Sequence, residues 1–214
     1  MSLSNDLLDD SFIETKIEDY NYPLTFEFKI GTLANDFIVK DVNGTTIAYV
    51  RQKMFKLKEA IQVYSNEERT KLTYTINADR IIDFNASYSF KNEHNEELGK
   101  IGRKGMKSLL KANYEIFNHT NDKEFQIKEE NPWAKVFDSL LGEVPILSLF
   151  TGFLFNPKYI VNSNDGTPSV RLTKEPSLFG RKFKLEKLAE INQKESEKII
   201  LSLMMMSLLE RRRG

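Results

Sequence analysis

Ile199-Ile200-Leu201-Ser202-Leu203-Met204-Met205-Met206-Ser207-Leu208-Leu209, closed by Glu210-Arg211-Arg212-Arg213-Gly214, is the stretch that decides the fold. Read as a helix it is apolar on every side, because Ser202 and Ser207 stand five residues apart and fall on different faces. A helix that is apolar all round must be enclosed, by protein or by lipid. Eleven residues rise about 16 Å, whereas a hydrocarbon core is about 30 Å thick and needs about 20 residues. The stretch therefore reads as a buried core helix packed through Ile199, Ile200, Leu201, Leu203, Met204, Met205, Met206, Leu208 and Leu209. Each such side chain contributes about 1.5–3 kcal/mol when fully buried. The chain before it must supply the shell.

That preceding chain is written mostly in strands. Leu24, Phe26, Phe28 and Ile30 alternate with polar residues, so they line one face of a strand. Phe37 to Lys40 and Thr45 to Val50 flank Asp41-Val42-Asn43-Gly44, and Asn-Gly between strand-like runs is the strongest short hairpin signal. Ala60 to Tyr64 and Lys71 to Ile76 form a second pair. The first hairpin pattern recurs at Tyr159 to Gly166, with a weaker copy at Tyr88 to Asn95. Starts at 37, 88 and 159 are unevenly spaced, which argues against a solenoid or propeller and for an antiparallel meander. Twelve to fourteen segments read as strands. Asn131 to Gly142, with Pro132 near its start and Gly142 at its end, reads as a helix. A last helix is expected from about Asn192 into the apolar terminus.

An eight-stranded barrel is filled by its own side chains, and a helix is about 10 Å across, so housing one demands more strands. The pattern predicts an α+β, mostly β chain: a closed antiparallel barrel of about twelve strands enclosing the hydrophobic C-terminal helix. Residues 1–21 read as an acidic N-terminal arm, and residues 22–214 as a single barrel domain. Closure also removes exposed sheet edges.

Composition narrows the function. Thirty-one basic residues balance thirty-one acidic ones, so nucleic-acid binding by the whole chain is not indicated. The charge is segregated, however: residues 1–23 carry six acidic side chains against Lys16 alone. The absence of cysteine excludes disulfides, thiol catalysis and thiolate metal sites, and suits a reducing cytoplasm. No basic and apolar leader opens the sequence. His94 and His119 lie in polar turns and read as solvated loop residues; no pair has metal-ligand spacing. No phosphate loop, nucleophile elbow or HExxH occurs, and no carboxylate sits in an apolar run that would raise its pKa. The expectation is no enzyme, no cofactor and no metal.

The suggestive constellation is basic. Arg51 and Lys53, Arg103 and Lys104, and Arg181 and Lys182 follow comparable hairpins, joined by Lys56, Lys58, Lys107, Lys111 and Lys184. If the hairpins are arranged alike, these charges meet on one rim, where Arg forks and Lys point charges suit phosphate. The bland reading of each is a solvated turn or an edge gatekeeper. Arg211 to Arg213 complement a helix C-terminal dipole.

The Asp41-Val42-Asn43-Gly44 hairpin, the Pro145-Ile146-Leu147 and Gly152 to Tyr159 segment, and the ending Leu208 to Gly214 resemble the LURP-one-related proteins. These group with phospholipid scramblases and the Tubby C-terminal domain. The resemblance implies a twelve-stranded barrel around a hydrophobic helix, and an anionic phospholipid head group or membrane surface as partner. Calcium-triggered scrambling is not implied, since Glu190-Ile191-Asn192-Gln193 stands where an acidic calcium loop would precede the helix. Three expectations follow: a cytoplasmic, non-enzymatic barrel, peripheral at the membrane, binding anionic head groups at its basic rim; a protein-interaction or structural module using the acidic arm; and a membrane-associated, scramblase-like protein.

Overall fold

Twelve strands close into one barrel in which every neighbour runs antiparallel, in the order β1-β12-β11-β10-β9-β8-β7-β6-β5-β4-β3-β2. The structure is a computed structural model of the chain, and it describes residues 21–29, 34–53, 60–79, 87–103, 112–130, 157–176 and 181–211. The strands are β1 (Leu24–Phe28), β2 (Ala34–Lys40), β3 (Thr46–Lys53), β4 (Ile61–Tyr64), β5 (Leu72–Ala78) and β6 (Ser87–Asn92). They continue as β7 (Glu97–Arg103), β8 (Asn113–Asn118), β9 (Lys123–Glu129), β10 (Lys158–Ser163), β11 (Pro168–Glu175) and β12 (Arg181–Lys187). Helix α1 (Gln193–Arg211) follows. The expected helix at Asn131 to Gly142 and the arm up to residue 20 lie outside the described residues.

Alternation sets the faces. β1 reads buried, half-buried, buried along Leu24–Phe28, and its inward Phe28 and Phe26 stack on Phe37 of β2 at 4.4 and 5.7 Å between ring centroids. Val50, Val63, Ile76, Phe90, Ile101, Ile116, Ile127, Val161 and Leu172 continue this inner layer around the ring, each 0 or 1% exposed. The lumen left by twelve strands is filled by α1. Ile199, Ile200, Leu201, Leu203, Met204, Met205, Met206 and Leu208 are fully enclosed, and Leu209 packs against them at the end. Ser202 and Ser207 are buried too. Apart from Ile38 and Tyr49, which are buried on the outer wall, the described outward faces are largely polar and cross-linked by ion pairs such as Arg171–Glu130 at 3.1 Å and Lys123–Glu115 at 3.3 Å. A barrel whose wall met lipid would show the reverse pattern, apolar outside and polar within.

One turn design is used five times. Asp41 Oδ1 accepts from the N–H groups of Asn43 and Thr45 at 2.9 and 2.8 Å. Asn92 does the same for His94 and Glu96, and Asn118 for Thr120 and Asp122. Asn66 accepts from Thr70; in the fifth turn, anchored at Ser163, the acceptor is the third residue, Asp165, which takes the Thr167 N–H. In each the fourth residue is left-handed: Gly44, Arg69, Asn95, Asn121 and Gly166 have φ of 81, 59, 64, 69 and 89°. Gly and Asn bear that conformation at least cost. The turn anchors 41, 66, 92, 118 and 163 are 25, 26, 26 and 45 residues apart. The copies at 37, 88 and 159 are thus every second member of a regular hairpin series, stretched once between β9 and β10.

The helix start is specified as firmly. Asn192 Oδ1 accepts from the Glu195 N–H at 3.0 Å while Glu195 Oε2 accepts from the Asn192 N–H at 2.8 Å, a reciprocal capping box. Glu186 sits on β12 and pairs with Lys184 at 2.7 Å. Where α1 enters the barrel, Lys198 is buried and ion-paired with Glu124 of β9. Gly99 of β7 makes room for it. A Cβ there would stand 2.3 Å from the Phe117 carbonyl oxygen and 3.1 Å from Lys198 Cδ.

Candidate functional site

Strict antiparallel closure sorts the molecule into two ends. Odd-numbered strands all finish at one end and even-numbered strands all begin there. The five repeated turns and the capping box of α1 occupy the opposite, turn end. Because α1 starts at the turn end, it leaves the lumen at the other, which we call the exit end. Tyr114, second residue of β8 and hence at the exit end, donates its hydroxyl to Glu210 Oε1 at 2.7 Å and ties down the helix C-terminus. Lys53 and Arg103 close β3 and β7, and Arg181 opens β12, so a described member of each of the three basic clusters stands at the exit rim.

They share a rim without forming a pocket. Around the ring β3 and β7 are four strand steps apart, β7 and β12 five, and β12 and β3 three. Strands about 4.8 Å apart and tilted by about 35–45° close a twelve-membered ring of about 12 Å radius. The clusters are therefore spread around the mouth at roughly thirds of its circumference.

Register decides which of the six residues face solvent. Arg51 is on the outer face of β3, opposite Asp36 of β2, and its side chain is 51% exposed. Its Nε stands 3.9 Å from Asp36 Oδ1, a loose ion pair too long for a hydrogen bond. Tyr49 shares this outer face; burial, and then the neighbouring Asp36 charge, push its phenol above the usual 10.0. Lys182 is 47% exposed on the outer face of β12, with Glu175 at 3.4 Å and Glu27 as its register partner on β1. Arg103 differs. It alternates with Ile101 onto the inner face, opposite Tyr114, with its guanidinium 5.7 Å from that ring. That placement seals the mouth around the helix instead of facing outward. Lys53 and Arg181 are terminal strand residues on this rim, and Lys104 lies outside the described residues.

Lys184 is committed elsewhere. Its hydrogen bond to Glu186 holds the ammonium above its usual 10.5 and the carboxyl below its usual 4.5. Sequence reasoning missed Lys158, exposed at the start of β10, and Lys29, just past β1, which are basic exit-end positions recognisable only once strand ends are known. Lys29 contacts Glu67 of the β4–β5 connection, so on this side one acidic turn residue reaches an exit-end cation, and the contact raises the Lys29 pKa above 10.5.

The turn end has the opposite character. Its six connections (41–45, 65–71, 93–96, 119–122, 164–167 and 188–192) carry eight acidic residues and two basic ones. His94 and His119 are exposed in two of these turns, as solvated loop residues. They border an open cavity of about 670 Å³ between the turns and the start of α1. Among the described residues no three His, Asp or Glu side chains are grouped as a metal site. Three described carboxylates are nevertheless buried: Asp36 on the outer wall, Asp41 in the first turn and Glu129 at the end of β9. None of them sits in an apolar run of the sequence.

Residues 46–206 match the LURP-one-related family. The X-ray structure of a protein from Arabidopsis thaliana superposes with a TM-score of 0.51 over 91% of this chain and 98% of that one, at 12% sequence identity. At that identity the likeness is one of fold. No curated protein matches the sequence.

Proposed function

The chain belongs to the LURP-one-related family, and from that premise we propose that it is a non-enzymatic barrel that binds anionic phospholipid head groups at its exit rim. The observation that carries this reading is the exposure of Arg51 and Lys182 on the rim where α1 leaves. The lumen supports it from the other side: eight helix side chains at 2% exposure or less fill the space a lipophilic ligand would need. A ligand is therefore met at the surface, through charge. The reading includes no chemical step, no cofactor and no metal. Among the described residues no helix is long and apolar enough to cross a membrane, and Ile199 to Leu208 are enclosed by strands.

The test is sedimentation with vesicles of phosphatidylcholine alone or with phosphatidylserine added. Each cation near an anionic surface contributes about 1 kcal/mol. Arg51→Glu with Lys182→Glu should weaken retention on the anionic vesicles at least tenfold. Raising salt from about 0.1 to 0.5 M should weaken it as well, because the Debye length shortens. Undiminished retention of the double variant would reject the proposal.

A further inference from the structure

We infer that the partner is an extended anionic bilayer plane, met by several sectors of the exit rim at once with the barrel axis upright, and not one head group held in a pocket. This rests on the reading above and specifies it. Arg51 on β3 and Lys182 on β12 are three strand steps apart. On a ring of about 12 Å radius that separates their Cα atoms by about 17 Å, with the side chains diverging from a convex wall. A single phosphate needs donors within about 2.9 Å, so the two cannot close on one. Lys158, on β10, lies two strands further round from Lys182, and Arg103 is committed to the inner face. Cations so distributed touch a plane together, whereas a double helix lying across the mouth would meet two sectors at most.

Charge along the axis orients the approach. The chain is neutral overall, the first 23 residues carry six acidic side chains against one basic, and the turn connections carry eight against two. All remaining residues together therefore hold 28 basic side chains against 17 acidic ones. The positive excess lies away from the turns, and α1 runs from its acidic entry to Arg211 at the exit rim. An anionic plane attracts the exit end and repels the turn end.

The absence of cysteine permits a direct test on the full chain. Pro176→Cys labels an exposed position just past β11 at the exit end; Val42→Cys, at a residue 57% exposed, labels the turn end, with Leu188→Cys as a second turn-end position. Vesicles of phosphatidylserine and phosphatidylcholine carrying a head-group nitroxide should quench a fluorophore at 176 at least threefold more than one at 42 or 188. The bound fraction should rise more steeply than first order with phosphatidylserine content, and millimolar glycerophosphoserine should not displace the protein. Equal or reversed quenching overturns the orientation while leaving head-group binding intact. Hyperbolic dependence with displacement by glycerophosphoserine overturns the plane in favour of a single-head-group clamp. Displacement by duplex DNA at equal phosphate would point to nucleic acid instead, and no vesicle binding at all removes this inference together with the proposal beneath it.

Discussion

The two ends of this barrel are built by different rules. At the turn end, five connections repeat one hydrogen-bonded design whose polar groups satisfy one another, and the helix cap completes the set. At the exit end the connections run from five residues to twenty-eight, and the side chains that stand out are cations turned to solvent. Local geometry accounts for nearly every residue at the first end. At the second, Arg51 and Lys182 are 51 and 47% exposed despite their pairs with Asp36 and Glu175, which leaves both open to a partner. The contrast teaches that one closed sheet can keep its folding instructions and its recognition surface on opposite rims.

Charge reversal separates the two ends most sharply. Arg51→Glu with Lys182→Glu should cost at least tenfold in retention on anionic vesicles. Glu93→Lys with Glu190→Lys at the turn end changes the net charge by the same amount in the other sense, and should move retention by less than twofold. Strands β6, β7 and β12, which lead to these positions, rise about 3.3 Å per residue, which sets both more than about one Debye length from a plane docked on the exit rim. If the turn-end pair strengthens binding as much as the exit pair weakens it, the protein responds only to its net charge and the distinction between ends fails.

Stability should show the reverse asymmetry. Gly99→Ala places a Cβ against the Phe117 carbonyl, a backbone atom that can yield only by shifting β8, at the point where Lys198 enters. Overpacking of this kind costs about 1–3 kcal/mol, and in a chain of this length that lowers Tm by roughly 2–10 °C. Removing the cap with Asn192→Ala should cost about 1 kcal/mol. Calorimetry on both variants, beside an unshifted Arg51→Glu, would sharpen the division; a destabilised Arg51→Glu would blur it, by showing that the loose Asp36 pair is part of the fold.

The architecture was legible because two signals agreed. Residues 199 to 209 left no face for water, and the alternation from Leu24 onward left one face of each strand apolar. The hairpin series was half legible: copies with Asn-Gly, Asp-Gly and Asn-Glu-His-Asn were matched to one another, while the turns at Asn66 and Asn118 read as polar turns without being joined to the series. The long connection between β9 and β10 then masked the period. The basic rim was legible as strand ends and not as faces. Arg103 follows Ile101 by two residues, so inward placement was implicit, yet only pairing with Tyr114 reveals the ring contact. Glu129 escaped notice because it follows Ile127 by two residues onto the face that closure buries, and Asp36 because it is buried on the outer face, which alternation alone does not reveal.

The smallest effect concerns pH and falls on the turns. Hydrogen bonds from Thr120 and Asn118 hold the Asp122 carboxyl below its usual 3.8, and bonds from Ser163 and Thr167 do the same for Asp165. A carboxyl whose folded pKa is depressed contributes stability that is complete above the unfolded value and fades as pH falls through the folded one. The turn end should therefore loosen below about pH 4, while the cations of the exit rim keep their charge. Asp122→Asn and Asp165→Asn retain an acceptor oxygen and lose the titration. Two-dimensional NMR of the wild-type chain should show Asp122 and Asp165 titrating below 3.8. Thermal melts at pH 7 and pH 3 should then show a narrower gap in the double variant than in the wild type. Equal gaps would mean that these turns are held by their backbone geometry, with the carboxylate charge irrelevant, and that the acidic character of this end serves only to keep it away from anionic surfaces.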